Sequence, residues 1–174
     1  MLESKTQLRA KIKQIFRQKS SDELKSLSVK VLEKLENSPE FQASQNIALF
    51  YSLPDEVYTH EFIDKWASAK NIFLPIIKGD DIFFAPYSGE LVEGEYSISE
   101  PRFTRDYSSE LDLVVVPGLS FSCFGDRLGR GRGFYDRFFA RVMPRYIIGM
   151  CFDFQIVDFV PTQEHDRRVD RVVY

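Results

Sequence analysis

Apolar positions recur with two different periods along this chain. Over residues 4–18, Leu8, Ile12, Ile15 and Phe16 form one stripe, with Lys5, Arg9, Lys13 and Arg17 displaced from it; that spacing predicts an amphipathic helix. Ser20-Ser-Asp-Glu23 resembles a capping box and opens a second helix carrying Leu24, Leu27, Val31, Leu32 and Leu35. Pro39 suits the first position of a short helical turn. Residues 47–51 are a continuous apolar run, the mark of a strand buried on both faces. A helix is predicted over 59–70 with Phe62, Ile63 and Trp66 inward, then a strand over 72–77. Lys78-Gly-Asp-Asp81 has hairpin-turn chemistry and leads into a strand over 82–87. Residues 88–109 are polar, with Gly89, Gly94 and Pro101, and read as a long surface connection. Further strands are predicted over 112–117 and 146–151, a helix over 133–143, and a sheet edge over 169–174.

Strands thus alternate with helices, with no internal repeat and no linker able to divide the chain. This order predicts one α/β domain over residues 1–174, a three-layer α/β/α sandwich with a mostly parallel central sheet. At 174 residues such a domain buries roughly 70% of its unfolded surface without staples. Ligands of such sheets bind at the carboxyl ends of strands, so function should collect in the loops after Tyr51, Pro117 and Cys151.

A net charge of −3 argues against general nucleic-acid binding. Positive charge is nevertheless concentrated at one locus, because residues 126–141 hold five arginines against two aspartates. Cys123 and Cys151 make neither a metal-ligand spacing nor a disulfide framework, and both are expected to be buried thiols. The N-terminus lacks the basic-then-apolar layout of a signal peptide, and no apolar run has membrane-spanning length, so the expected compartment is the cytoplasm.

The locus itself is Arg127-Leu-Gly-Arg-Gly-Arg-Gly-Phe-Tyr-Asp136. Gly129, Gly131 and Gly133 alternate with Arg130 and Arg132, between a predicted strand and a predicted helix. Glycine lets backbone N–H groups approach a ligand, and a helix N-terminus presents unpaired donors with a positive partial charge. Arginine adds planar, permanently charged forks that match phosphate oxygens. The pattern is neither a Walker A loop nor a dinucleotide fingerprint. It reads as a phosphate site, with a flexible surface turn as the alternative.

Other candidates carry two readings each. Asp136 either complements the dipole of the helix it opens or ligates Mg²⁺ beside a bound triphosphate. Asp166 is either a solvated surface carboxylate or the second metal ligand, and Glu56 either a solvated loop residue or part of the ligand edge. Lys5 and Arg9 share one helix face, which matters only if that helix packs over the phosphate site. His60 and His165 are assigned no catalytic role.

These segments together resemble the 5-formyltetrahydrofolate cyclo-ligase family, also called 5,10-methenyltetrahydrofolate synthetases. The resemblance runs along essentially the whole chain. It is carried by Lys5-Thr-Gln-Leu-Arg9, Tyr51-Ser-Leu-Pro-Asp-Glu56, Ile98-Ser-Glu-Pro101, the block from Asp112 to Asp136, and His165-Asp-Arg-Arg-Val-Asp170. It implies a ligase of one-carbon metabolism that uses MgATP to convert 5-formyltetrahydrofolate to 5,10-methenyltetrahydrofolate, ADP and phosphate. Carried across, ATP is expected on Lys5, Arg9, Arg127, Leu128, Gly129, Arg130, Gly131, Arg132, Gly133, Phe134 and Tyr135. Folate is expected on Tyr51, Glu56 and residues Arg130, Gly131, Arg132, Gly133 and Phe134, and Mg²⁺ on Asp136 and Asp166. Arg130 and Arg132 are the expected catalytic residues, in a monomer whose partners are small molecules, with neither nucleic acid nor membrane. Arg132 stands where many relatives have lysine or glycine, and Phe134 stands where tyrosine is usual. The rival readings are another ATP-using enzyme on this scaffold and a non-catalytic nucleotide- or RNA-binding module.

Overall fold

The computed structural model describes residues 3–163 and 166–174, so Glu164 and His165 of the C-terminal motif lie outside the described residues. The chain opens with α1 (Lys5–Phe16), α2 (Ser21–Glu36) and α3 (Pro39–Ala43), then β1 (Asn46–Ala48), α4 (His60–Trp66), and the hairpin β2 (Asn71–Lys78) and β3 (Asp81–Pro86). A small ribbon, β4 (Val92–Glu93) and β5 (Ser99–Glu100), precedes β6 (Leu113–Pro117), β7 (Ser120–Ser122) and β8 (Arg127–Leu128). The chain finishes with α5 (Phe134–Arg141), β9 (Tyr146–Met150), β10 (Ile156–Val157) and β11 (Arg171–Val173).

The main sheet has the order β11-β9-β6-β1-β2-β3, parallel throughout except where β3 returns antiparallel to β2. Its apolar runs are continuous because both faces are covered. In β6, Leu113 and Val115 join a core built with Leu8, Leu35, Phe41 and Ile63 of the first four helices. Val114 and Val116 point the other way, into a second core with Phe138 and Phe139 of α5. Successive side chains of a strand face opposite sides, so one five-residue run serves two layers. That is the three-layer α/β sandwich the element order predicts.

Several expectations need correction. The full capping box belongs to α1, where Ser4 and Gln7 bond reciprocally; Ser20 caps α2 by accepting from Glu23 N–H, while the Glu23 carboxylate turns to Lys19. The strand predicted over 47–51 pairs only over Asn46–Ala48, and the helix predicted over 59–70 covers His60–Trp66. Cys123 is exposed, because the tight turn between β7 and β8 carries it to a hairpin tip; Cys151 is buried, and desolvation pushes its thiol up. The strand at residues 112–117 does not feed the glycine loop directly. Between them stands a second sheet, β10-β7-β8, whose strands of two or three residues are too short to display a period. Its polar members are buried and satisfied: Ser120 Oγ donates to Gln155 O, and Ser122 Oγ to Asp126 Oδ2. Among the described residues no helix is long and apolar enough to cross a membrane.

Candidate active site

β1 and β6 are neighbours whose chains depart in opposite directions, β1 toward β2 and β6 toward β9. Such a switch point leaves a crevice beyond the carboxyl ends of the strands. A cleft of about 630 Å³ lies there, lined by Phe50 and Tyr51 after β1 and by Pro117 and Gly118 at the end of β6. Every candidate residue from the sequence lines it: Lys5, Arg9, Tyr51, Glu56, the whole run 127–136, and Asp166.

One wall is cationic and glycine-rich. Gly131 and Gly133 hold φ of 105° and 71°, a region that favours glycine, and Gly133 is the N-cap of α5 without any side-chain cap. The first N–H groups of α5 are therefore left to a ligand or solvent. α1 does pack over this loop, for Arg9 Nε donates to Gly129 O at 3.0 Å. Lys5 Nζ meets Asp166 Oδ2 at 2.5 Å, which joins α1 to the C-terminal segment.

The arginines of the loop do different things. Arg127 is a buried strut: one guanidinium nitrogen reaches Asp136 Oδ1 at 3.0 Å and the other reaches Pro117 O at 3.3 Å. Its side chain is 6% exposed against 23% for Asp136. Asp136 thus faces Arg127 as well as the N-terminus of α5, a partner the sequence reading missed. Replacing Arg127 by Met is expected to destabilise the fold by about 3 kcal/mol, since it strands a half-buried carboxylate. A lowered urea midpoint with an unchanged slope is the result that checks it.

Arg130 is held by acidic residues. Its guanidinium grips Asp55 with two bonds, 3.1 and 2.5 Å, and reaches Glu56 Oε1 at 3.2 Å. Burial works against this charge, but the Asp55 and Glu56 carboxylates outweigh it and push the guanidinium up. Glu56 is 9% exposed; desolvation pushes its carboxyl up, against the opposing pull of Leu53 N–H and Arg130. Arg132 donates to Tyr96 OH at 3.1 Å and lies over that ring, 4.3 Å from its centre. Tyr96 and Ser97 hold φ of 60° and 55°, a left-handed pair without glycine that costs of order 1–3 kcal/mol each. Phe134 faces Tyr96 with ring centres 6.3 Å apart.

The opposite wall is apolar, with Pro75, Ile77 and Ile82 of the β2–β3 hairpin and Ile98 of the β4–β5 ribbon. Residues 88–109 are therefore no mere surface connection: Tyr96, Ile98 and Glu100 line the cleft. Sequence reasoning also missed Asp55 as the partner of Arg130 and Gln163 beside Asp166, whose backbone N–H donates to Asp166 Oδ2 at 2.7 Å. Glu100 and Asp55 were present in the quoted motifs, but nothing in the sequence shows which member of a motif turns inward. Tyr51 stacks on His60, with ring centres 3.6 Å apart, and desolvation pushes that imidazole down from its ordinary range.

The chain is similar to known proteins along its length and in its fold. The model of the 5-formyltetrahydrofolate cyclo-ligase family matches residues 1–174. The 5-formyltetrahydrofolate cyclo-ligase of Mus musculus is 31% identical, over 98% of this chain and 93% of its own length. That of Escherichia coli K12 is 31% identical over 78% of this chain and 80% of its own. The NMR structure of Aquifex aeolicus 5,10-methenyltetrahydrofolate synthetase superposes with a TM-score of 0.86 at 31% identity, covering 97% of this chain and 88% of that one. With the whole length matched and the fold shared, this chain belongs to the 5-formyltetrahydrofolate cyclo-ligase family, the ligases of folate one-carbon metabolism.

Proposed function

We propose that this chain closes 5-formyltetrahydrofolate to 5,10-methenyltetrahydrofolate at the expense of ATP, and that the cleft between α1, the glycine loop and the β4–β5 ribbon is where it does so. The observation that carries the proposal is convergence. Residues as distant as Lys5, Glu56, Arg130 and Asp166 line one cleft whose walls divide into a cationic, amide-rich side and an apolar side. A polyphosphate fits the first and a reduced pteridine ring the second.

The chemistry needs that pairing. An N-formyl carbonyl is an amide, too resonance-stabilised for direct attack by the neighbouring N10. Transfer of the γ-phosphoryl group to the formyl oxygen releases ADP and leaves an iminium carbon that N10 attacks. N10 loses its proton, the C–O bond breaks, and phosphate departs carrying the former formyl oxygen. No protein nucleophile is required; positioning and charge stabilisation do the work. Arg130 and Arg132 are the groups we assign to the moving phosphoryl charge, with Lys5, Arg9, Arg127 and the 128–135 backbone holding ATP. Tyr51, Glu56 and Phe134 are assigned to folate. Glu56 is the acceptor we assign to the N10 proton, being a buried carboxylate with a raised affinity for protons beside Arg130.

Mg²⁺ typically takes one or two carboxylates plus phosphate oxygens. Asp136 and Asp166 offer hard oxygen donors on the cationic wall and fit that pattern, with Mg²⁺ supplying neutralisation of the polyphosphate charge. We take a monomer as the working unit. An exposed free thiol at Cys123 suits a reducing compartment such as the cytoplasm. Purified protein given MgATP and 5-formyltetrahydrofolate is expected to generate the methenyl absorbance, with one ADP per turnover. No absorbance change at micromolar enzyme rejects the proposal.

A further inference from the structure

Glu100 stands apart from the acidic residues already discussed. It sits on β5, is only 4% exposed, and yet lines the cleft at its apolar end beside Ile77 and Ile98. Among the described residues it accepts one hydrogen bond, from Ile77 N–H at 3.0 Å, and pairs with no cation. Asp55, Glu56, Asp136 and Asp166 each have Arg or Lys opposite. The ribbon is laid tightly over this carboxyl, since a Cβ on Gly94 would run into it. A carboxylate oxygen has room for two acceptor contacts, so most of the capacity of Glu100 is unused. Leaving it so in an apolar wall costs free energy that a ligand's donors recover.

The donors must belong to a particular kind of group. Polyphosphate and the glutamate tail of a folate are anionic and are repelled here, the more so with Glu95 nearby. Adenine offers one amino group flanked on either side by ring-nitrogen acceptors, a poor match to two carboxylate oxygens. The 2-amino-4-oxo pteridine ring presents N3–H and the 2-amino group side by side, two parallel donors. We infer that Glu100 is a specificity residue, accepting that donor pair and so fixing the pteridine ring at the apolar end of the cleft; this rests on the proposed function above. Desolvation, joined by the charge of Glu95, pushes the carboxyl up, and bound N–H donors draw it back toward the ionised form.

The experiment compares 5-formyltetrahydrofolate with its 2-desamino analogue, by calorimetric binding to the wild type, E100A and E100Q, alongside KM for ATP. The wild type is expected to prefer the natural ligand by about tenfold or more. E100A is expected to bind 5-formyltetrahydrofolate about tenfold or more weakly, to lose the preference, and to keep KM for ATP within about twofold. E100Q preserves shape but replaces one acceptor by an N–H₂ donor, and is expected to lose most of the preference while melting as the wild type does. Either variant retaining the full wild-type preference overturns the inference, as does a rise in KM for ATP with folate affinity unchanged. A wild type that turns over 5-formyltetrahydrofolate but ignores the 2-amino group overturns this inference alone. A wild type that neither binds nor converts 5-formyltetrahydrofolate overturns the proposed function as well.

Discussion

Replacing Arg130 by Ala is expected to lower kcat/KM by about 10²- to 10³-fold, the range seen when one preorganised donor to a developing charge is removed. The expectation comes from the way the side chain is held. Asp55 grips both guanidinium nitrogens, and Glu56 takes a third contact from the same group. A fork fixed on one edge has its rotamer settled before substrate arrives, so charge can be met without reorganisation. Arg130→Lys keeps the charge and loses the fork, and is expected to recover only part of the activity. Asp55→Asn should weaken the grip, raising the entropy lost on binding and lowering kcat by a smaller factor. Steady-state kinetics on the three variants, with both KM values separated, checks the order. Equal activity of Arg130→Ala and the wild type would remove this residue from the phosphoryl site.

The second large effect is expected at Glu56. Glu56→Gln should reduce kcat by about 10²- to 10⁴-fold, the usual contribution of a positioned general base. The pH profile distinguishes loss of a base from loss of a contact. Burial raises this carboxyl above its ordinary 4.5, so activity that needs the ionised form falls as the pH drops through the raised value. The acid limb of kcat/KM should therefore lie above the ordinary glutamate range and vanish in the variant. Stability should run the other way. Between the unfolded and folded values the native state binds the extra proton, so the contribution of this group to stability declines as pH rises. At neutral pH Glu56→Gln is thus expected to keep or raise the melting temperature while activity collapses, the trade expected of a group held for function. A variant that lost both stability and activity, with the acid limb unmoved, would assign Glu56 to the scaffold.

Most of the architecture was legible because long apolar runs and helical stripes are strong signals. β6 and β9 are uninterrupted runs buried on both faces, and the stripe on α1 marks the face that meets the core. What was illegible is short or tertiary. The sheet of β7, β8 and β10 is made of strands of two or three residues held by buried serines and Gln155, with no period to read. Residues 88–109 look polar because only alternate members of the ribbon face the cleft. The candidate residues were found largely by resemblance, and the physics of the glycine loop supplied a reason for Arg130, Gly131 and Gly133. Asp136 was read as a partner of the α5 dipole or as a Mg²⁺ ligand, and its pairing with Arg127 of β8 went unread because it is not a local feature. Glu100 was overlooked for the same reason: burial is a property of the fold, not of the tetrapeptide that contains it.

The proposed chemistry requires that the formyl oxygen be phosphorylated inside this cleft and leave as part of the phosphate. 5-Formyltetrahydrofolate carrying ¹⁸O in its formyl group, turned over with unlabelled MgATP, separates the possibilities by mass spectrometry of the released phosphate. One ¹⁸O in each phosphate, with none in the solvent water, is the predicted result. Label appearing in water, with unlabelled phosphate, would mean that the formyl oxygen leaves without being phosphorylated, and would contradict it.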